Sequence, residues 1–175
     1  MSAALELPRD DRPAYPDPQE VMAWLEEVPD PEIPVISLVD LGVIRNVSLD
    51  GGTLVVTVTP TYTGCPATSI INFEIEAKLR EKGVCDFRIV RSLSPPWTTA
   101  WLSVKGRAAL TQYGIAPPVE GTAACGSGRP AQLQVACPRC GSCETRMVSR
   151  FGSTPCKSNW QCNSCLEPFD YFKCI

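Results

Sequence analysis

The apolar positions change period along the chain, and each change marks an element. Val21, Leu25 and Val28 recur at helical spacing after Asp17-Pro18-Gln19-Glu20. In that tetrapeptide Asp17 can cap, Pro18 suits the first helical position and Glu20 completes a capping box. Pro29 stops the helix, and Asp30-Pro31-Glu32-Ile33-Pro34 reads as a stiff extended segment. The period then falls to two. Val43, Arg45, Val47 and Leu49 alternate, Asp50-Gly51-Gly52 signals a hairpin, and Leu54, Val56 and Val58 line one face of the return strand. Helical spacing returns near Pro66. Ile71, Ile75 and Leu79 form the buried stripe of a helix of about 16 residues, with Gly83 as its C-cap. Phe87 and Ile89 predict a third strand over 85–92, and a last helix over 99–112 ends at Gly114.

The order α-β-β-α-β-α predicts an α+β domain over 17–114, a small mixed sheet covered by helices. Residues 1–16 carry three prolines and read as a flexible tail. Residues 115–132 are rich in Pro, Gly, Ala and Ser and read as a linker. A C-terminal β module of the zinc-ribbon kind follows over 133–175, with short strands around 145–149 and 169–173.

That module is predicted from its cysteines. Cys137-Pro-Arg-Cys140 and Cys162-Asn-Ser-Cys165 are separated by 21 residues. Each pair can form a turn that points two thiolates at one ion, and two such knuckles complete a four-sulfur tetrahedron. The spacing suits zinc and iron alike, and structural zinc is the commoner occupant. The chain contains no histidine. A Ser-His-Asp triad, a histidine base and histidine-held haem are thereby excluded. Cys156 and Cys174 stand outside the four-sulfur set and could form a second thiol pair or replace a knuckle ligand.

Charge narrows the partners. The net charge is −3; residues 17–114 hold 12 acidic and 8 basic side chains, and 133–175 hold 3 and 5. So small a basic excess argues against a nucleic-acid surface. The first eleven residues lack a basic stretch followed by an apolar run, and no stretch approaches a membrane span. Ten cysteines without a secretory signal point to a reducing cytoplasm and to metal or redox use. Two copies could pair through Trp97, Trp101 and a sheet edge.

Cys65 is the chemical candidate of the first domain, in Thr61-Tyr62-Thr63-Gly64-Cys65-Pro66-Ala67-Thr68. A strand delivers this loop and Pro66 begins the next helix, so the helix N-terminus is expected to favour a thiolate. Gly64, next to Thr63, lets the backbone bend and a ligand approach. Such a thiolate could attack or hold a soft metal; a small buried cysteine filling a turn fits the same residues. Asp40, before the first strand, could reach the Cys65 loop and co-ligate.

Asp30-Pro31-Glu32-Ile33-Pro34, Asp40-Leu41-Gly42 and the Thr-Gly-Cys65-Pro-Ala segment together resemble the iron–sulfur assembly domain family related to SufT. Longer segments resemble the PaaD family: Pro60 through Thr68, Pro96-Trp97-Thr98-Thr99, Tyr113 through Pro118, Phe151-Gly152-Ser153-Thr154 and Glu167 through Ile175. The resemblance implies an accessory role in aerobic phenylacetate breakdown, in maturing the multicomponent phenylacetyl-CoA epoxidase rather than in catalysis. Expected partners are the epoxidase components, above all the iron–sulfur reductase, and Cys65 is the implied functional cysteine, holding iron or a cluster transiently. A docking subunit of the oxygenase complex is the other expectation.

Overall fold

The computed structural model describes residues 15–119 and 134–173. The tail up to residue 14, the linker over 120–132 and Cys174 lie outside the described residues.

The first helix forms where its capping chemistry predicts. Asp17 is extended and its carboxylate accepts the Gln19 N–H at 2.7 Å, opening α1 (Pro18–Leu25), which buries Val21 and Leu25. The segment after it is not the stiff extended stretch expected. The Asp30 carboxylate accepts the N–H groups of Glu32 (2.9 Å) and Ile33 (2.8 Å), and the Asp30 N–H reaches the Ile36 carbonyl. These bonds fold the acidic segment into a turn and bury Ile33 and Ile36.

Strands β1 (Ile44–Asp50), β2 (Thr53–Val58) and β3 (Phe87–Arg91) form one sheet in that order. β1 runs antiparallel to β2, and β3 runs parallel to it, after the crossover helix α2 (Thr68–Glu81). Leu54, Val56 and Val58 point into the core with Ile71, Ile75 and Leu79 of α2, as their spacing predicts. The predicted alternation in the first strand fails at its start. An irregularity in the ladder between Ile44 and Asn46 buries Val43, Ile44 and Val47 while Arg45 faces out. The Arg45 guanidinium lies 3.6 Å from the centre of the Trp101 ring.

The last helix of this domain starts later than predicted. A one-turn 3-10 helix, Thr99–Trp101, comes first, and Ser103 then caps α3 (Val104–Tyr113) by accepting the Gly106 N–H at 2.8 Å. Gly114, at φ +96°, closes it.

Ile115 and Ala116, assigned to the linker by composition, are paired in the structure. They form β4, parallel to β7 (Pro168–Phe172), at the edge of a second sheet of order β4-β7-β6-β5. β5 (Thr145–Ser149) lies where predicted, and β6 (Lys157–Cys162) is additional. The ribbon is packed on the first domain. Cys156 and Phe172 are buried within the first domain's core, and Phe172 meets Trp97 edge-on at 6.0 Å.

Candidate functional site

The ribbon gathers its four thiols at one end. The Sγ atoms of Cys137 and Cys165 lie 3.8 Å apart, those of Cys140 and Cys162 3.6 Å, and all four within 4.8 Å of one another. A disulfide would need about 2.05 Å. Metal–sulfur bonds of about 2.3 Å in a tetrahedron put neighbouring sulfurs about 3.8 Å apart, so the donor set fits one tetrahedral ion. The knuckles are tied to their own backbone. The Cys137 N–H donates to the Ser142 carbonyl, the Cys165 N–H to the Cys162 sulfur at 3.5 Å, and Ser142 meets Ser164 across the gap at 2.8 Å. The Cys165 N–H is the largest influence holding the Cys162 thiol down, to about 6. Cys143 and Cys85 are exposed and outside this set.

Cys65 belongs to a different site. The α2 helix starts at Thr68, two residues later than Pro66 predicts, because Pro66 and Ala67 complete a turn whose Cys65 carbonyl takes the Thr68 hydroxyl at 2.8 Å. Cys65 is half-buried and lines a cavity of about 10 Å³, with Asp30, Glu32, Thr61, Cys156 and Phe172 among its walls. Such a space holds about one water-sized body.

The electrostatics reverse the sequence expectation. The Cys65 thiol is pushed up, by burial first and then by Glu32 and Asp30, although the Ala67 N–H opposes this. The helix end does not win, because the thiol is partly desolvated and faces two carboxylates. Burial also raises Asp30, and pushes Cys156 to about 11. The Tyr62 hydroxyl is buried with no hydrogen-bond partner among the described residues. It is pushed up to about 12 by burial first, then by Cys65, Glu32 and Cys156 around it.

Asp40 is a correction. It does not line the cavity; its carboxylate accepts the Ser103 hydroxyl at 2.6 Å and the Ser37 hydroxyl at 3.0 Å, and pairs with Lys105 at 3.2 Å. It braces the start of α3, and Asp30 and Glu32 are the acids beside Cys65. Thr63 and Gly64 are exposed, with the Thr63 carbonyl held by Arg91. Cys156 neither replaces a knuckle ligand nor joins the four-thiol set: it faces the Cys65 cavity. Its approach to Glu32 spans 124 residues of sequence, which no local pattern shows.

A half-buried cysteine beside two carboxylates thus sits on a small α+β domain joined to a four-thiol β ribbon. Residues 18–84 match the iron–sulfur cluster assembly protein family, and residues 122–173 match the PaaD zinc beta ribbon domain. A protein of Escherichia coli (strain K12), provisionally named as one of the subunits of 1,2-phenylacetyl-CoA epoxidase, is 45% identical over 162 residues. That alignment spans 93% of this chain and 96% of that one. The chain therefore belongs to the PaaD family. Its first domain is also similar to two proteins named Fe-S protein maturation auxiliary factors. One, from Porphyromonas gingivalis (strain ATCC BAA-308 / W83), is 36% identical over 49% of this chain and 82% of that one. The other, YitW of Bacillus subtilis (strain 168), is 35% identical over 53% and 91%. No helix among the described residues is long and apolar enough to cross a membrane.

Proposed function

We propose that this protein matures the multicomponent phenylacetyl-CoA epoxidase by delivering iron or an iron–sulfur cluster, with the iron–sulfur reductase as its client. It is an accessory factor and catalyses no step of the epoxidation. The observation that carries this reading is Cys65, a half-buried thiol beside Asp30 and Glu32 in a small cavity. A thiolate is a fitting ligand for soft iron. Relatives of the first domain are named as Fe-S maturation factors and a relative of the whole chain as an epoxidase subunit, which supports a maturation role in the epoxidase system. The ribbon holds zinc structurally and docks the client.

Replacing Cys65 by Ser in cells should leave the fold intact and lower the iron and acid-labile sulfide content of the reductase. Full occupancy of the reductase in such cells overturns the proposal.

The name of the Escherichia coli relative favours a second reading, a docking subunit of the oxygenase. It predicts co-purification with the oxygenase subunits at fixed stoichiometry. An oxygenase that turns over fully without this protein counts against it.

A further inference from the structure

Cys156 is the residue that the proposed role of Cys65 leaves unexplained. It belongs to the ribbon sequence but is 4% exposed within the first domain's core. Two polar groups nevertheless face its sulfur. The Thr154 hydroxyl lies 2.9 Å from its sulfur, and its thiol points to the Glu32 carboxylate at 3.7 Å. A cysteine serving only as a small apolar filler has no need of a carboxylate facing it.

Three further observations converge on the same spot. Cys65, Cys156, Glu32 and Asp30 line one cavity, with donors from both domains. The Tyr62 hydroxyl beside Cys65 and Cys156 is buried and, among the described residues, unpartnered, a donor with no acceptor. Asp30 and Glu32 bring two carboxylates to the space, with Lys157, paired with Asp170 at 3.9 Å, and Lys173 near Cys156.

We infer that the ribbon completes the Cys65 site: the thiolates of Cys65 and Cys156, with the Glu32 carboxylate, form a two-domain site for one soft divalent cation such as ferrous iron. The inference rests on Cys65 being the iron-carrying cysteine. Two thiolates and a carboxylate are a donor set for such an ion, and two protons leave as it binds. These three donors stand farther apart than the four ribbon thiols, which are the set within 4.8 Å of one another among the described residues. The Tyr62 hydroxyl, beside both thiols, would donate a hydrogen bond to a thiolate formed there. The cavity, about 10 Å³, has room for one water-sized body.

The test is a titration of the full chain, its four-thiol site filled with zinc, with cobalt(II) in the absence of oxygen. Wild type should bind one cobalt beyond the zinc and show thiolate-to-cobalt charge transfer in the near ultraviolet. Cys156→Ser and Cys65→Ser should each cut that absorbance per bound ion by about half and weaken binding roughly tenfold or more. Glu32→Gln should weaken binding and keep the absorbance per bound ion. Retained zinc reports a folded ribbon in each variant. X-ray absorption at the cobalt edge of wild type, which needs no variant, should count two sulfurs.

Absence of cobalt binding beyond the zinc, or a count of one sulfur, overturns the inference. Binding lost in Cys65→Ser and unchanged in Cys156→Ser also overturns it, and leaves the reading of Cys65 standing. Binding unchanged in both variants removes the two together.

Discussion

At the scale of single residues, burial decides which titratable groups do what. Asp40 and Asp30 are both acids in loops before the first strand, yet they shift in opposite directions. Burial raises both, but the Ser103 and Ser37 hydroxyls and Lys105 outweigh it at Asp40, which ends lowered. A carboxyl lowered in the folded state adds stability above its unfolded pKa and loses it as pH falls through the folded value. Asp40→Asn should therefore cost about 1–3 kcal/mol at neutral pH. The gap to wild type should close in acid, below the usual carboxylate range. Urea unfolding of both proteins across pH checks this, and a gap that is constant with pH contradicts it. Position in the sequence, just before the first strand, points to Asp40 as the acid beside Cys65. Its partner Ser103 lies 63 residues away, beyond any local pattern. Cys65 itself is legible from its turn, whereas its raised pKa depends on Glu32 and Asp30 and on burial that only the fold supplies.

At the scale of elements, strong local signals are readable and weak ones are not. Asp17 and Pro18 open α1, and the Ile71, Ile75 and Leu79 stripe of α2 is buried as its spacing implies. β6 escapes a reading by pattern because its inward positions are Ser158, Trp160 and Cys162, of which one is a large apolar residue. The 3-10 turn that precedes α3 packs closely on the turn at Gly42. Gly42 sits at φ +74°, and a Cβ there would lie 2.7 Å from the Trp101 Cβ and carbonyl oxygen. The 3-10 turn ending at Trp101 is thus pressed against the entry to β1. Gly42→Ala should cost about 2–4 kcal/mol, from the left-handed backbone together with the clash. A thermal melt that shows no loss of stability refutes that packing argument.

At the scale of the whole molecule, the ribbon keeps a core of its own and sends Cys156 and Phe172 into the core of the first domain. Composition marks residues 115–132 as a linker, but Ile115 and Ala116 are the edge strand of the ribbon's own sheet. Phe172, 1% exposed, meets Trp97, whose indole N–H donates to the Leu41 carbonyl at 3.0 Å. Truncating a buried Phe costs about 3–5 kcal/mol, and here that loss falls on the contact that seats the ribbon. Phe172→Ala should loosen the ribbon and expose Cys156 and Cys65. Both thiols should then react faster with a maleimide, read by mass spectrometry of the peptides, while the four ribbon thiols keep their rates. Unchanged rates at both positions mean that Phe172 does not hold the ribbon in place.

On the proposed function, Cys65 carries the iron and the four ribbon thiols carry structural zinc. The most direct measurement is iron, zinc and acid-labile sulfide in protein purified without oxygen, for wild type and Cys65→Ser. About one zinc per chain is expected in both, with iron in wild type that is lost in the variant. Iron that survives the substitution contradicts it, and moves the carrier site to Cys137, Cys140, Cys162 and Cys165.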